Sequence, residues 1–196
     1  MKLLARLVLC ASLLAAFSAP ALPQKKRKTA CPVPPPSPFK HTGQIATSFD
    51  RSANGMRTTL EHPRAFNAAG AAIYLSASFT HQDPRRADTP SLELTFISVS
   101  PAQKFREAHD LVLLCDGAQR SFAGATSYQT RGGSGSTLEA AKVQLSYDDV
   151  LAVTRARRVS ARLGAAEFEL THNHLEALRE LASLMAPSPS RWRTTE

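Results

Sequence analysis

The strongest constraint on the fold is a period-two alternation of apolar and polar residues along the middle of the chain. The clearest run has four apolar residues at every second position: Ile73, Leu75, Ala77 and Phe79. Successive side chains of a β-strand point to opposite faces, so this pattern predicts a strand with one buried face. Similar patterns predict further strands at residues 46–51, 56–62, 92–96, 120–123, 138–145, 158–163 and 167–170, and a more continuous apolar run predicts one at residues 111–115.

Turn residues separate several neighbouring runs by only a few positions. The pairs Asn54-Gly55 and Asp116-Gly117 accept the positive φ values that tight hairpins require, and Gly164 separates the last two runs. Short connections of this kind join antiparallel strands. We therefore expect antiparallel sheets, either as a sandwich or as one strongly curved sheet.

Two helices are predicted among the strands. Ser146 with Asp149 three residues later is a capping box, which indicates a short helix near residues 147–155. A second, C-terminal helix is predicted near residues 172–185, and its apolar stripe comprises Leu175, Leu178, Leu181, Leu184 and Met185. The expected fold class is β-rich α+β, with the C-terminal helix packed on a sheet.

The first 21 residues have the pattern of a secretory signal peptide. Lys2 and Arg6 precede an apolar run at residues 7–17, and Ala19 and Ala21 flank Pro20 in the form of a cleavage site. Eleven residues of helix span only about 16 Å, roughly half of a bilayer core, which disfavours the alternative of a membrane anchor. We expect cleavage after Ala21, localisation in the periplasm or outside the cell, and no transmembrane segment after processing.

Three further segments follow the signal peptide. Residues 22–42 form a basic, proline-rich arm, and its four consecutive basic residues are Lys25, Lys26, Arg27 and Lys28. Such a cluster can contact an anionic envelope surface, although a solvated arm of no further role explains it as well. Residues 43–186 are long enough to form a single domain, and residues 187–196 form a polar tail.

The charge distribution argues against a nucleic-acid partner. The formal net charge is +8, but six of the 24 basic side chains precede residue 31, which leaves 18 basic against 16 acidic side chains in the remainder. A nucleic-acid-binding domain usually has a basic face of its own, with aromatic side chains that stack on bases. We therefore expect no nucleic-acid partner.

Patterns that resemble catalytic or metal sites have simpler explanations. The segment at residues 132–136 lacks the final glycine of a nucleophile elbow, so we interpret it as a flexible loop. His172 and His174 are two residues apart, which separates their side chains on a helix, and a metal site would need a third ligand from His41, His62, His81 or His109. We interpret the pair as polar residues at the helix entry. No catalytic residue, cofactor or metal is assigned.

The acidic pairs are explained in the same way. Asp148 and Asp149 suit the first turn of a helix, where acids interact favourably with the helix dipole. Glu167 and Glu169 alternate along a strand, as residues on a solvent-facing surface do. We therefore expect neither pair to act as a general acid and base.

Two cysteines remain after processing, since Cys10 leaves with the signal peptide. Exported proteins mature where thiols are oxidised, and a pair of cysteines there is usually linked. Cys115 ends an apolar strand, whereas Cys31 lies in the arm with little to bury it. We expect a Cys31 to Cys115 disulfide that holds the arm against the domain.

The second half of the chain resembles a group of known proteins. The residues that carry the resemblance are the runs at residues 111–117, 138–153, 162–170 and 175–179. Over about residues 111–185, the order of these predicted strands and helices is similar to that of uncharacterised bacterial exported proteins. The resemblance implies an extracytoplasmic domain of unknown function and supplies no active-site residues.

These observations favour a non-catalytic binding or accessory module of the bacterial envelope. Its partner would be an envelope protein or an anionic envelope surface. Two alternatives stay open: an extracytoplasmic hydrolase whose site forms only in three dimensions, and an envelope-associated protein held by its basic arm.

Overall fold

The computed structural model describes residues 37–81, 91–107, 110–122, 126–133 and 135–185. These residues contain eleven strands and two helices. The strands are β1 (Gln44–Asp50), β2 (Gly55–Glu61), β3 (Phe66–Ala68), β4 (Ala71–His81), β5 (Leu92–Ser100), β6 (Leu111–Cys115), β7 (Ala118–Ser121), β8 (Ser127–Gly133), β9 (Ser136–Leu145), β10 (Val159–Leu163) and β11 (Ala166–Leu170). The helices are α1 (Tyr147–Arg155) and α2 (His172–Met185).

The strands form two antiparallel sheets. The large sheet has the order β1-β2-β4-β5-β9-β8, and β3 also pairs with β4. The small sheet has the order β11-β10-β6-β7. The predicted β-rich α+β class is thus confirmed, and of the two predicted arrangements the structure has the one with two sheets.

The predicted hairpin turns have the backbone conformation that their residues favour. Asn54, in the turn between β1 and β2, has a φ of 48°, and Asp116 and Gly117, between β6 and β7, have φ values of 50° and 87°. Asparagine, aspartate and glycine adopt this left-handed region more readily than other residues. The local sequence therefore determines where these strands reverse.

The core lies between the two sheets and the helices. Leu60, Leu75 and Phe96 of the large sheet and Leu113 and Leu163 of the small sheet are all almost fully buried. The ring of Phe96 lies 5.3 Å, edge to face, from the ring of Phe168 in β11, and this contact joins the sheets. Each sheet therefore directs one face into a shared core and leaves the other face uncovered by it.

The two helices are positioned by their termini and apolar faces. Ser146 caps α1 by accepting a hydrogen bond of 3.2 Å from the backbone N–H of Asp149, as predicted. The guanidinium of Arg179 in α2 donates to the carbonyl oxygens of Thr154 and Ala156 at 2.8 and 2.9 Å, which ties α2 to the end of α1. The predicted stripe of α2 is wrong in one member, because Leu184 is 54% exposed.

Two strands were not expected from the sequence, and one of them corrects an interpretation. Residues 132–136, expected to be a flexible loop, belong largely to the β8–β9 hairpin, in which Gly132 pairs with Thr137 and Gly133 with Ser136. Gly135, with a φ of 83°, lies in the turn itself. The other unexpected strand, β3, has only three residues.

The chain termini lie mostly outside the described residues. The predicted signal peptide at residues 1–21, residues 22–36 of the arm and the predicted tail are among these. The last residues of the predicted arm contact α2: Thr42 donates to Asn173 Oδ1 through its backbone N–H and its hydroxyl, and His41 bonds to Glu180. Neither helix in the described part is long and apolar enough to cross a membrane.

Candidate functional site

The large sheet has an outer face, turned away from the core, whose central strands carry apolar side chains. In order from β4 to β8, one row across this face consists of Ala72, Val99, Leu138 and Arg131. The neighbouring row consists of Tyr74, Ile97, Ala140 and Gln129. Side chains directly opposite each other on adjacent strands lie about 5 Å apart, so each row forms a continuous surface.

Part of this surface is exposed to solvent. We call Ala72, Tyr74, Ile97, Val99 and Leu138 the apolar patch. Val99 is 37% exposed and Leu138 is 42% exposed, and the other three are half-buried. Outer faces of antiparallel sheets are usually polar, and contiguous exposed apolar surface commonly marks an interaction site.

A depression of about 360 Å³ adjoins the apolar patch. Its lining includes Gln44, Glu61, Pro63, Tyr74, Ser76 and Ile97. The depression lies where β2 ends at Glu61, before β3 pairs with the remainder of β4. Carboxylate, amide and hydroxyl groups thus stand beside the apolar patch at the β2 end.

Charged residues elsewhere on the outer face bind one another. Lys142 lies 3.7 Å from Glu93, and Arg57 donates to Asp50 at 2.7 Å and to Ser78 at 3.0 Å. Hydrogen bonds from the Ser52 side chain and from Arg57 hold the pKa of Asp50 well below its usual range. These pairs set the polar part of the face apart from the apolar patch.

The comparisons add no relative. No family model, no curated protein and no solved structure matches the chain. The outer face is therefore interpreted from its own geometry.

The residues predicted for the disulfide and for anionic contacts are only partly described. Cys31 and the basic cluster Lys25, Lys26, Arg27 and Lys28 lie outside the described residues. Cys115 is buried at the end of β6 and has no cysteine partner among the described residues, and burial raises the pKa of its thiol. Because Cys31 lies outside the described residues, the Cys31 to Cys115 bridge stays a prediction.

The histidines at the start of α2 differ in environment. His172 is exposed, whereas His174 is 2% exposed and its ring lies 3.9 Å from the ring of His62. His62 bonds through Nε2 to Asn173 Oδ1 at 2.6 Å. No group of three histidine, cysteine or carboxylate side chains in the described part of the chain is arranged to hold a metal ion.

The two acidic pairs of the sequence, Asp148 with Asp149 and Glu167 with Glu169, do not converge on one site. Asp149 bonds to Arg120 of β7, and Glu169 bonds to Arg158 at 3.1 Å, which lowers the pKa of Glu169. Asp148 and Glu167 are exposed. The arrangement of these carboxylates is that of surface ion pairs.

The structure also reveals a buried carboxylate that the sequence did not indicate. Glu139 of β9 is 1% exposed and accepts hydrogen bonds from the backbone N–H groups of Lys104 and Phe105, at 2.9 to 3.0 Å. It also accepts one from the Tyr128 hydroxyl at 2.7 Å. Glu139 thereby holds the segment after β5 over the core, with Phe105 buried beneath it.

Sequence reasoning missed the apolar patch, although a signal was present. The alternation of Leu92, Leu94 and Phe96 predicts β5, but it does not account for the apolar residues Ile97 and Val99. Those two residues place apolar side chains on the second face of the same strand. Apolar residues on both faces of a strand indicate either burial on both sides or an exposed apolar surface.

Proposed function

We propose that this protein is an exported, non-catalytic binding module that holds a protein partner on the outer face of its large sheet. The single observation that supports the proposal is the apolar patch, with Val99 and Leu138 exposed at its centre. Burial of apolar side chains contributes a favourable free energy of about 25 cal/mol per Å² of apolar area. A partner that covers the apolar patch would therefore be stabilised on it.

The charge pattern of the patch favours a protein over a small ligand. Its centre is apolar, and two exposed charges lie toward its ends, Glu61 beside the depression and Arg131 on β8. An apolar centre with a polar rim is the anatomy of protein interfaces. The expected partner therefore has an apolar surface, with a basic group facing Glu61 and an acidic group facing Arg131.

Aspartate substitutions test the proposal at the centre of the patch. Val99→Asp should weaken binding at least tenfold, because an interface would have to bury an unpaired carboxylate. Leu138→Asp should also weaken binding, because its carboxylate would lie opposite Arg131 and occupy the cation that is expected to face an acidic group of the partner. The measurement is titration of the immobilised chain with the protein it retains from the envelope fraction of the exporting cells.

A matched control distinguishes binding at the apolar patch from non-specific hydrophobic adsorption. Leu184→Asp changes another exposed apolar residue, on α2, and should bind like the unchanged chain. All three variants should remain folded, since the replaced side chains are exposed. Unchanged affinity in both Val99→Asp and Leu138→Asp would contradict the proposal.

We also propose the export route that the sequence predicts. The signal peptide is removed after Ala21, the chain matures in the periplasm or outside the cell, and the basic arm at Lys25 to Lys28 adds attraction to an anionic envelope surface. This proposal agrees with the resemblance to bacterial exported proteins.

One mass measurement tests both processing and the predicted disulfide. The exported chain, alkylated in denaturant without reductant, should have lost residues 1–21 and should gain no alkyl group, since Cys31 and Cys115 are bridged. A chain that retains residues 1–21 would exclude the cleavage. Two alkyl groups would exclude the bridge.

A further inference from the structure

The edge strand β1 has one side without a strand partner among the described residues. All seven of its residues pair with β2 in continuous register, from Gln44 with Glu61 to Asp50 with Gly55. No other described strand pairs with β1, and its side chains are mostly exposed. A row of unpaired backbone N–H and C=O groups is a template for another strand.

Nothing in β1 blocks such pairing. Natural edges are usually protected by lysine, proline, a bulge or an inward-pointing charge. β1 contains no basic residue and no proline, and its continuous register leaves no bulge. Its one charged residue, Asp50, lies at the end of the strand and binds Arg57 and Ser52 at 2.7 and 2.6 Å.

The opposite edge of the same sheet differs. β8 carries Arg131 and ends in two glycines, Gly132 and Gly133. A charged side chain and glycines both weaken strand addition. Within the described part of the chain, the large sheet therefore has one protected edge and one open edge.

We propose that two copies of the chain associate through β1, antiparallel and centred on Thr47, so that their large sheets become one continuous sheet. A two-fold axis through the Thr47 pair would bring all seven residues of each strand opposite a residue of the other. Two-fold dimers with self-complementary surfaces are the commonest oligomers.

The side chains of β1 complement each other in this register. Phe49, which is 58% exposed, would lie opposite Ile45 of the second copy, so an apolar residue covers an apolar residue. Ala46 would lie opposite Ser48, both of them small, and Gln44 opposite Asp50. No two like charges meet, and moving the centre by one residue would separate Phe49 from Ile45.

Sedimentation velocity on the Cys31→Ser chain tests the proposal without thiol crosslinks through the arm. The chain should sediment with twice its monomer mass. The double variant Ala46→Glu/Ser48→Glu should be monomeric, because residues 46 and 48 face each other across the axis and four carboxylates would meet there. Both positions are exposed, and the carboxylate introduced at position 48 would lie beside Arg57 of its own chain, so folding should be retained.

The matched control changes the opposite edge. Ser127→Glu/Gln129→Glu introduces the same two charges at the same spacing on β8 and should leave the dimer intact. A monomeric Cys31→Ser chain at all concentrations, as expected if another segment of the chain covers β1, would overturn the proposal. A dimeric Ala46→Glu/Ser48→Glu variant would overturn it too.

Charge reversal and crosslinking test the register itself. An equimolar mixture of Ala46→Glu/Ser48→Glu with Ala46→Lys/Ser48→Lys should form a heterodimer, whereas each variant alone is monomeric. Thr47→Cys in the Cys31→Ser chain should form an intermolecular disulfide on mild oxidation, since directly opposite residues have the spacing of a disulfide. Failure of the mixture to associate, or of Thr47→Cys to crosslink, would show that the register is wrong.

Discussion

At the scale of single residues, the buried histidine His174 links β2, β3 and α2. Its Nε2 donates to the carbonyl oxygen of Arg64 at 3.2 Å, and its Nδ1 accepts from the Thr171 hydroxyl at 2.7 Å. The ring also stacks on Phe66 at 4.2 Å and lies against the tilted ring of His62 at 3.9 Å. Both ring nitrogens are therefore satisfied in the neutral form.

This environment makes the stability of the fold depend on pH. Burial, together with the nearby charges of His62 and Arg64, lowers the pKa of His174 to about 4. In the unfolded chain, the imidazole of His174 binds a proton below pH 6.5, its ordinary pKa. In the folded chain, it binds one only near pH 4. Stability should thus be full above pH 6.5 and fall as the pH drops to about 4, by an amount on the order of 2–3 kcal/mol.

Urea denaturation at pH 7 and pH 4.5 measures this contribution. His174→Gln should reduce the loss of unfolding free energy between the two pH values, because the substituted side chain does not titrate. His172→Gln is the control, since His172 is exposed and should leave the pH dependence unchanged. Equal pH dependence in the His174→Gln variant and the unchanged chain would contradict this role of His174.

Histidine spacing predicted only part of this arrangement. The two-residue separation of His172 and His174 predicts that their side chains point apart, but the interpretation of both as polar residues at the helix entry fits only the exposed His172, because His174 is buried. The contact with His62 joins residues more than one hundred positions apart, and no local pattern encodes it.

At the scale of elements, α2 is a helix held by its apolar face. Leu178 is 3% exposed and packs near Leu94, Leu145 and Val150. Leu178→Ala should lower the unfolding free energy by about 2–4 kcal/mol, because the site cannot fully close around the smaller side chain. Leu184→Ala removes the same atoms from an exposed position and should change stability by about 0.5 kcal/mol or less.

Chemical denaturation of the two variants measures the difference. A shift of the denaturation midpoint in Leu178→Ala, with none in Leu184→Ala, is expected. Equal midpoints for both variants would show that α2 does not contribute its apolar face to the core.

The elements that the sequence predicted are those with strong local signals. β4 alternates cleanly, and the β1–β2 and β6–β7 hairpins carry turn residues with the required φ values. β8 was missed because Tyr128 is the only apolar residue of a largely polar strand that relies on pairing with β9. β3 was missed because three residues are too few to show a period.

At the scale of the whole molecule, the outer face could not be predicted from the sequence. Ile97 and Val99 would show the same sequence pattern in a strand buried on both faces. Among the described residues, the small sheet and the helices pack on one face of the large sheet, and the other face is left open. The apolar patch also joins β4, β5 and β9, whose alignment depends on register between separate segments. Local patterns do not contain that register.

Cysteine protection in exporting cells tests most directly whether the outer face is occupied by a partner. Val99→Cys, Leu138→Cys and the control Leu184→Cys are introduced separately into the Cys31→Ser chain, in which Cys115 is buried and its raised pKa slows its reaction. Maleimide labelling is then compared between exporting cells and purified protein. Residues 99 and 138 should label several-fold more slowly in cells while residue 184 labels equally in both, and equal labelling at all three positions would contradict a binding role for the outer face.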